Sequence, residues 1–374
     1  MNFDFSEEQT MLRDGITRFL GKTYDFHQRQ AIVASATGTS AQVWQKFVEL
    51  GLLHLPHDEA NGGLGGTICD SAAFADLFGR HLVVEPYVGT VLLASRALAL
   101  ANDHPIARDW LARTLEDGTT LAFAHEEGTG TGNPARITTK IERNGERAVL
   151  SGAKRLVLDG AEAALLVVTT QLADGAMALA LVDPKRPGVT IRGYTTVDGR
   201  RAANIDFAGV AVDPTEIVAV DGLALARVIE DAILFLCGEA VGAAEALVEV
   251  SSAYAATRQQ FGVPIARFQA IAHLLADMKI ASVKLRASLL YTLALRETGR
   301  ATPRDISLFK AQAGRLGRQI GESAVQIHGG VGMTDELIVG HYLKRLLAID
   351  AMFGSADYHL AMAGRVAANQ GGAR

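Results

Sequence analysis

The spacing of hydrophobic residues is helical over about the first 115 positions of the chain. Ser6 followed by Gln9 is a capping-box pattern, which predicts the start of the first helix. A second helix is predicted to begin after Ser40 and to end at Gly51. Further predicted helices of this region lie at about 71–79, 90–102 and 106–116.

After Gly118 the pattern changes to short apolar runs that are separated by turn sequences such as ERNGER, DPKRPG and VDGR. Short strands at regular intervals, with no helix between them, are typical of an antiparallel sheet or barrel. They are not typical of alternating strands and helices. The predicted strands lie at 120–126, 148–158, 164–171, 177–183, 189–197 and 203–212.

From about Asp221 the helical spacing returns, in long segments with short connections. Long helices with short connections are typical of antiparallel neighbours in a bundle. The four predicted segments lie at roughly 222–258, 264–297, 303–329 and 336–370. The sequence therefore predicts an α+β multidomain protein with an N-terminal helical domain (1–117), a central antiparallel, barrel-like β domain (118–218) and a C-terminal four-helix bundle (219–374).

Composition limits the function classes. Lys and Arg total 36 against 41 for Asp and Glu, so the net charge of −5 excludes a polybasic nucleic-acid-binding arm. The two cysteines predict neither a disulfide framework nor a zinc cluster, and no metal site is expected. The most apolar stretches, 82–102 and 224–250, carry charged residues, so no membrane span is expected. A reducing, cytoplasmic setting is the resulting prediction.

The segment RQQFGVPIARFQAIAHLLADM, which starts at Arg258, contains residues that suit a nucleotide ligand. Arg258 and Phe261 are predicted to share one helical face, before a glycine and a proline end the helix. A guanidinium group can clamp a pyrophosphate in bidentate fashion, and an aromatic side chain beside it can pack against a flat ring. The alternative interpretation is an ordinary helix end with a solvated arginine.

The segment QIHGGVGMTDE places Gln326 one helical turn before Gly329 and Gly330. The glutamine amide is therefore predicted to reach a ligand that lies against the bare backbone of the two glycines. The alternative interpretation is a helix C-cap with glycine in a left-handed conformation.

In this order and architecture, the two segments resemble those of the acyl-CoA dehydrogenase family, and the resemblance extends over essentially the full length, including the opening FSEEQTMLRDGITRFL. It implies FAD bound between domains and subunits, an acyl-CoA substrate, and an electron-transfer flavoprotein as acceptor. By position, the residues that would hold the pyrophosphate and ribityl region are Arg258, Gln260, Phe261, Phe268 and Gln269. Those that would contact FAD from the neighbouring subunit are Gln326, Ile327, His328, Gly329 and Gly330.

The general base of the family is missing from both positions where the resemblance implies it. In most members a Glu follows the glycine motif in a fixed register, and Phe353 stands there in this chain. A subset carries the Glu on the first bundle helix, where the register gives Ala232. No catalytic residue is therefore assigned. Because α-proton removal needs a positioned carboxylate, this chain is expected to lack the base.

Other differences affect the same catalytic wall. The flavin-facing strand, which in the family carries a Trp-x-Thr pattern, has Leu156 and Leu158, and the loop usually written Thr-Glu-Pro-Gly is replaced by HEEG at 125–128. Two carboxylates are candidates to substitute as base: Glu239, two turns from Ala232, and Asp350, one turn before Phe353. For each, the alternative is a solvated or paired helical carboxylate.

A heteromeric enzyme explains these differences most simply. Residues 342–361 are similar to the small subunit of pimeloyl-CoA dehydrogenase, an α2β2 enzyme in which one subunit has the base and the other has lost it. The resemblance thus predicts a paired subunit in an α2β2 heterotetramer. Two alternatives stay open: a self-sufficient flavoenzyme of the same fold with a replaced base or monooxygenase chemistry, and a binding or scaffold protein without turnover.

Overall fold

The computed structural model describes residues 5–128, 137–144 and 147–371. The helices are α1 (Glu7–Thr23), α2 (Phe26–Ala34), α3 (Ala41–Glu49), α4 (Ile68–Ala72), α5 (Ala75–His81), a π-helix (Tyr87–Ser95), α6 (Arg96–Ala99), α7 (Pro105–Asp117), α8 (Gly222–Thr257), α9 (Gln269–Glu297), α10 (Pro303–His328), α11 (Ile338–Ala351) and α12 (Ala356–Gly371). The strands are β1 (Leu121–Ala124), β2 (Lys140–Asn144), β3 (Arg147–Leu158), β4 (Leu165–Gln171), β5 (Met177–Val182), β6 (Val189–Thr195), β7 (Arg201–Val212), β8 (Ile217–Ala219), β9 (Gln259–Gln260) and β10 (Val263–Pro264).

The chain divides into two compact units that alternate along the sequence. The first unit consists of Met1–Arg29, Ala72–Val83 and Ile233–Arg374, and the second of Gln30–Ser71 and Val84–Ala232. Helices, then strands, then long helices follow one another in the predicted order, while the division into three domains stays a prediction. In the part of the chain that the structure describes, no helix is both long and apolar enough to cross a bilayer.

The second unit contains an eight-stranded sheet of mostly antiparallel strands, in the order β6-β7-β3-β2-β4-β5-β8, with β1 paired to β4. The β1–β4 and β2–β4 pairs are parallel. Alternate apolar residues of the strands form a buried core that includes Leu150, Leu166, Val168 and Ile205. Strands β1, β4 and β5 are buried along nearly their whole length, so they stand out in the sequence as short continuous apolar runs, by which they could be recognised.

The first unit contains the long helices of the bundle and α5. Buried Leu285, Phe309, Ile320 and Leu346 belong to its core. Helices α5 and α8 approach backbone to backbone through two reciprocal glycines. A Cβ atom on Gly79 would overlap the carbonyl of Glu239, and one on Gly242 would overlap the carbonyl of Asp76. At these two positions the helices lie so close together that no side chain fits between them.

Gly242→Ala is expected to destabilise the first unit by about 2–3 kcal/mol or more, because the added methyl group must push α5 away from α8. Urea unfolding of the full chain measures the change. Gly364→Ala on α12 is the matched control, because a Cβ atom there would meet no atom within 4 Å. An equal effect of the two substitutions would contradict the close helix contact.

The structure confirms the predicted N-termini of the first helices. The Ser6 hydroxyl accepts from Gln9 N, the Gln9 side chain accepts from Ser6 N, and the Ser40 hydroxyl accepts from Val43 N. The short strand β8 was not predicted. The prediction of one helix over 336–370 was wrong, because the chain breaks between α11 and α12 where Phe353 and Gly354 have φ of 54° and 99°.

Candidate functional site

A cavity of about 620 Å³ lies in the first unit at the end of α8, the end of α10 and the start of α11. Arg258, His328 and Gly330 line it, and its apolar lining includes Leu337 and Val339. Two of the predicted ligand segments, which are about 70 residues apart in the sequence, therefore meet at one cavity. A mostly apolar wall with few polar groups is typical of small-molecule and cofactor sites.

The glycine motif borders open space. Gly329 ends α10 with φ 67° and ψ −149°, and a Cβ atom on Gly329 or Gly330 would meet no atom within 4 Å. The backbone at these two glycines is therefore open to close approach, and a ligand there stays a prediction. His328 is buried instead, stacked on Tyr254 with a centroid distance of 4.3 Å, and its Nδ1 donates to the Ala324 carbonyl over 2.8 Å. Ile327 is also buried.

Phe261 lies at the tip of a β-hairpin and not on a helical face. Helix α8 ends at Thr257, and β9 and β10 are joined by Phe261 and Gly262, whose φ values of 52° and 79° are those of a type I′ turn. The side chain of Phe261 is 93% exposed and contacts only the edge of the Phe268 ring among the described ring pairs, at 6.0 Å and 90°. The predicted shared helical face was wrong, because α8 already ends at Thr257 and Phe261 lies in the turn of the hairpin that follows.

The remaining predicted contact residues are also at the surface. Phe268 is the N-cap residue of α9 and is 37% exposed. Gln260, Gln269 and Gln326 are exposed as well. A bulky residue with positive φ costs about 1–2 kcal/mol, and an exposed aromatic side chain gains little from the fold. Phe261 therefore keeps a left-handed backbone at the hairpin tip while its ring stays almost wholly exposed.

In the second unit, the strand that resembles the family's flavin-facing strand contains a β-bulge. The β3–β7 register shifts between Lys154 and Val157, and Leu156 has φ 50°. Asp159, just past the strand end, has φ 56°. Bulges and left-handed residues re-aim side chains and are found often beside active sites. The strain is therefore concentrated in the segment that carries the altered residues Leu156 and Leu158.

Lys154 is completely buried behind this bulge. Its ammonium group donates to the His125 carbonyl (3.0 Å), to Glu127 Oε1 (2.8 Å) and to Thr169 Oγ1 (3.0 Å). Burial lowers the pKa of Lys154 to about 8, although Glu127 opposes this shift. Burial alone would raise the pKa of Glu127, but Lys154 and hydrogen bonds from Thr138 and Thr139 lower it to about 2. The pair fixes the loop at 125–127 against β3 and β4.

The carboxyl group of Asp159 lies in an environment that disfavours its negatively charged form. Burial raises its pKa to about 7, the nearby Glu85 and Asp198 add to the increase, and Arg200 opposes it. A Cβ atom on Gly89 of the π-helix would lie 3.3 Å from Asp159 Oδ2. The carboxyl group therefore titrates near neutral pH although the residue itself keeps a small exposed fraction.

We expect the contribution of Asp159 to the stability of the protein to fall as pH rises from about 4 to 7, because the folded state binds the Asp159 proton more tightly than the unfolded chain does. The loss is on the order of 2–4 kcal/mol after allowance for residual solvent screening. Asp159→Asn is expected to remove this loss. Thermal unfolding at pH 5 and pH 8 measures it, with exposed Asp103→Asn as the control. An unchanged pH slope in Asp159→Asn would contradict the assignment.

The two positions at which the sequence resemblance implies the base are occupied by buried apolar side chains. Ala232 is wholly buried in α8, in the second unit. Phe353 is 6% exposed, in the first unit, on the turn between α11 and α12. Asp350 and Phe353 are not one helical turn apart as predicted, because α11 ends at Ala351. Neither position offers a titratable group.

Both candidate substitute carboxylates are engaged elsewhere. Glu239 Oε2 accepts from Arg345 Nε over 3.0 Å, and the two side chains are 1% and 3% exposed. Asp350 Oδ1 accepts from the backbone of Ala356 over 2.9 Å, at the start of α12. These contacts favour the interpretation of paired, structural carboxylates.

Two models of one family match most of the chain. The model "Acyl-CoA dehydrogenase, N-terminal domain" matches residues 6–117, and "Acyl-CoA dehydrogenase, C-terminal domain" matches residues 226–368. The chain belongs to the acyl-CoA dehydrogenase family. This membership confirms the resemblance seen in the sequence, and the helical, β and helical order of the structure agrees with it.

Relatives of known name are distant but cover nearly the whole chain. A probable acyl-CoA dehydrogenase of Bacillus subtilis, YngJ, is 27% identical over 96% of this chain and 97% of its own. The acyl-CoA dehydrogenase IpdE2 of Mycolicibacterium smegmatis is 27% identical, over 91% and 92% respectively.

Solved structures share the fold. The ChsE4–ChsE5 complex from Mycobacterium tuberculosis superimposes with a TM-score of 0.89 at 23% identity, over 98% of this chain and 99% of the other. The Tcur3481–Tcur3483 steroid ACAD gives a TM-score of 0.86 at 26% identity, with the same coverage. An FAD complex of PigA gives 0.86 at 19% identity, with the same coverage.

Sequence reasoning missed the buried cations. Lys154 stands in an alternating strand and Lys310 in an amphipathic helix, where single lysines are ordinarily solvated. Their burial depends on acceptors that are distant in the sequence. One local signal existed for the strand: the two neighbouring basic residues of AKRLV interrupt the apolar alternation where the bulge occurs.

Proposed function

We propose that the chain is a subunit of an FAD-dependent acyl-CoA dehydrogenase that lacks the catalytic Glu and shares its FAD site with a paired subunit in an α2β2 heterotetramer. The observation that supports this most strongly is the contrast between two regions. Three of the residues expected to contact the cofactor, Arg258, His328 and Gly330, line one open cavity, and the two positions implied for the base are occupied by Phe353 and Ala232.

The residues present fit the dinucleotide. Arg258 at the cavity provides the cation for the pyrophosphate, and the bare backbone at Gly329 and Gly330 permits close approach. Phe261 and Phe268 project an aromatic pair beyond the chain's own surface, which suits a flavin held largely by another subunit. When bound, FAD would supply hydride acceptance for α,β-desaturation of an acyl-CoA thioester. The residues of this chain bind and orient the cofactor, and a carboxylate of the paired subunit removes the α-proton of the substrate.

Several names among the relatives agree with a heteromer. ChsE4–ChsE5 is a complex of two proteins, and the Tcur3481–Tcur3483 steroid ACAD is likewise named for two. One fold neighbour is named as an electron-transferring flavoprotein of Acidaminococcus fermentans. On this proposal such a flavoprotein is the electron acceptor, and the enzyme works in the cytoplasm on fatty, dicarboxylic or steroid-derived acyl-CoA.

The test is purification of the chain alone and after co-expression with an acyl-CoA dehydrogenase encoded next to it. We expect FAD absorbance and acyl-CoA dehydrogenation only for the co-expressed pair. Arg258→Met in the pair is expected to preserve assembly while flavin is lost. A yellow, active homotetramer would contradict the heteromer and favour a self-sufficient flavoenzyme or a monooxygenase. A pair without flavin or acyl-CoA binding would favour a scaffold.

A further inference from the structure

The turn between α11 and α12 is held in a strained conformation. Phe353 has φ 54°, a left-handed value that costs a bulky residue about 1–2 kcal/mol. Gly354 follows with φ 99°, and a Cβ atom there would lie 2.5 Å from the ring of Tyr358. Such a turn persists only where its surroundings determine it.

Lys310 of α10 supplies the first restraint. The side chain is completely buried, and its ammonium group donates to the carbonyls of Asp350 and Gly354, each over 2.9 Å. These two carbonyls lie on either side of Phe353. Desolvating a buried ammonium group costs free energy, and packing alone does not require a charge at the turn that carries the Phe353 ring. The hydrogen bonds that Lys310 donates to the turn offset this cost.

His359 of α12 supplies the second restraint. Its Nε2 lies 3.0 Å from the Phe353 carbonyl, which can only accept, so Nε2 carries the proton. Nδ1 then accepts from the Ser307 hydroxyl over 3.1 Å. Burial and the nearby Lys310 lower the pKa of His359 to about 4, so this neutral tautomer holds at neutral pH. Asp350, by accepting from Ala356 N, fixes the other end of the turn.

We propose that Lys310 and His359 are positioning residues that fix the direction of the side chain at position 353, independently of which residue stands there. Its meaning for catalysis rests on the proposed function, in which position 353 is where the family carries its base. On this view the chain has lost the carboxylate at position 353 but has kept Lys310 and His359, which fix the direction of the side chain there. A glutamate introduced by Phe353→Glu would take the direction that Phe353 has now.

The test compares Phe353→Gly with Phe353→Ala, each with and without Lys310→Met, by urea unfolding of the full chain. Both substitutions remove the ring, but only glycine tolerates a left-handed φ without strain. With Lys310 in place, we expect the folding equilibrium constant of the glycine variant to exceed that of the alanine variant by about three- to tenfold. With Lys310→Met, the ratio is expected to fall to about one or below, because the released turn relaxes.

Lys344→Met is the control, since Lys344 pairs with Asp335 near the other end of α11 and should leave the ratio unchanged. If Lys310→Met does not fold, His359→Leu replaces it, with a smaller fall of the ratio. If the glycine-to-alanine ratio of folding equilibrium constants is unchanged by Lys310→Met or His359→Leu, the proposal is overturned. The test needs neither cofactor nor substrate, so a chain that binds no flavin but shows the expected ratios would defeat the proposed function alone.

Discussion

Arg345→Met is expected to destabilise the folded chain by about 3–5 kcal/mol, because it leaves the carboxylate of Glu239 buried without its cation. The two side chains are among the least exposed charged groups described, at 1% for Glu239 and 3% for Arg345. Urea unfolding measures the loss. The double variant Glu239→Leu with Arg345→Met is expected to recover most of it, since an apolar pair of similar volume needs no desolvation. A double variant as unstable as the single one would contradict this account.

The ion pair between Glu239 and Arg345 also distinguishes the two interpretations of Glu239, as a substitute general base or as a structural carboxylate. A catalytic base at this position would make Glu239→Gln lower turnover by roughly 10²–10⁴-fold. We expect the stability of Glu239→Gln to fall and the activity of the folded complex to stay within a small factor of wild type, because Glu239 is held by Arg345. Dehydrogenation by the co-expressed pair, corrected for folded fraction, distinguishes these outcomes.

Phe261→Asn is expected to lower the FAD affinity of the complex by roughly 30- to 150-fold, as the loss of about 2–3 kcal/mol of aromatic burial and stacking implies. Its stability is expected to be unchanged or to rise by up to about 1 kcal/mol. Asparagine suits the first position of a type I′ turn, and the ring it replaces is 93% exposed. Fluorescence titration with FAD and urea unfolding measure the two effects.

Phe261→Tyr is the matched control, because it keeps the ring and its left-handed strain and should keep most of the affinity. Wild-type affinity in Phe261→Asn would remove Phe261 from the cofactor site. A large loss of stability would show that the hairpin tip serves the fold of its own chain.

Much of the architecture was predictable because local patterns determine it. The caps at Ser6 and Ser40 and the short apolar runs of strands β1, β4 and β5 each follow from residues a few positions apart. The break at Phe353 was not predictable from spacing, since apolar residues continue through it and the left-handed turn is fixed by Lys310 and His359 from other helices. Family resemblance indicated Phe261 as a contact residue, but its exposure at a hairpin tip required the structure.

The alternation of the two compact units along the sequence has a consequence for the chain as it leaves the ribosome. The second unit is complete once residue 232 has been synthesised, whereas α5 must wait for Gly242 of α8, more than 160 residues later. Because distant contacts form slowly and domains fold as units, the second unit is expected to fold first. The rings of Phe74 and Phe78 likewise lack their partner Phe235 until α8 is synthesised, so this part of the first unit is expected to stay unpacked during synthesis.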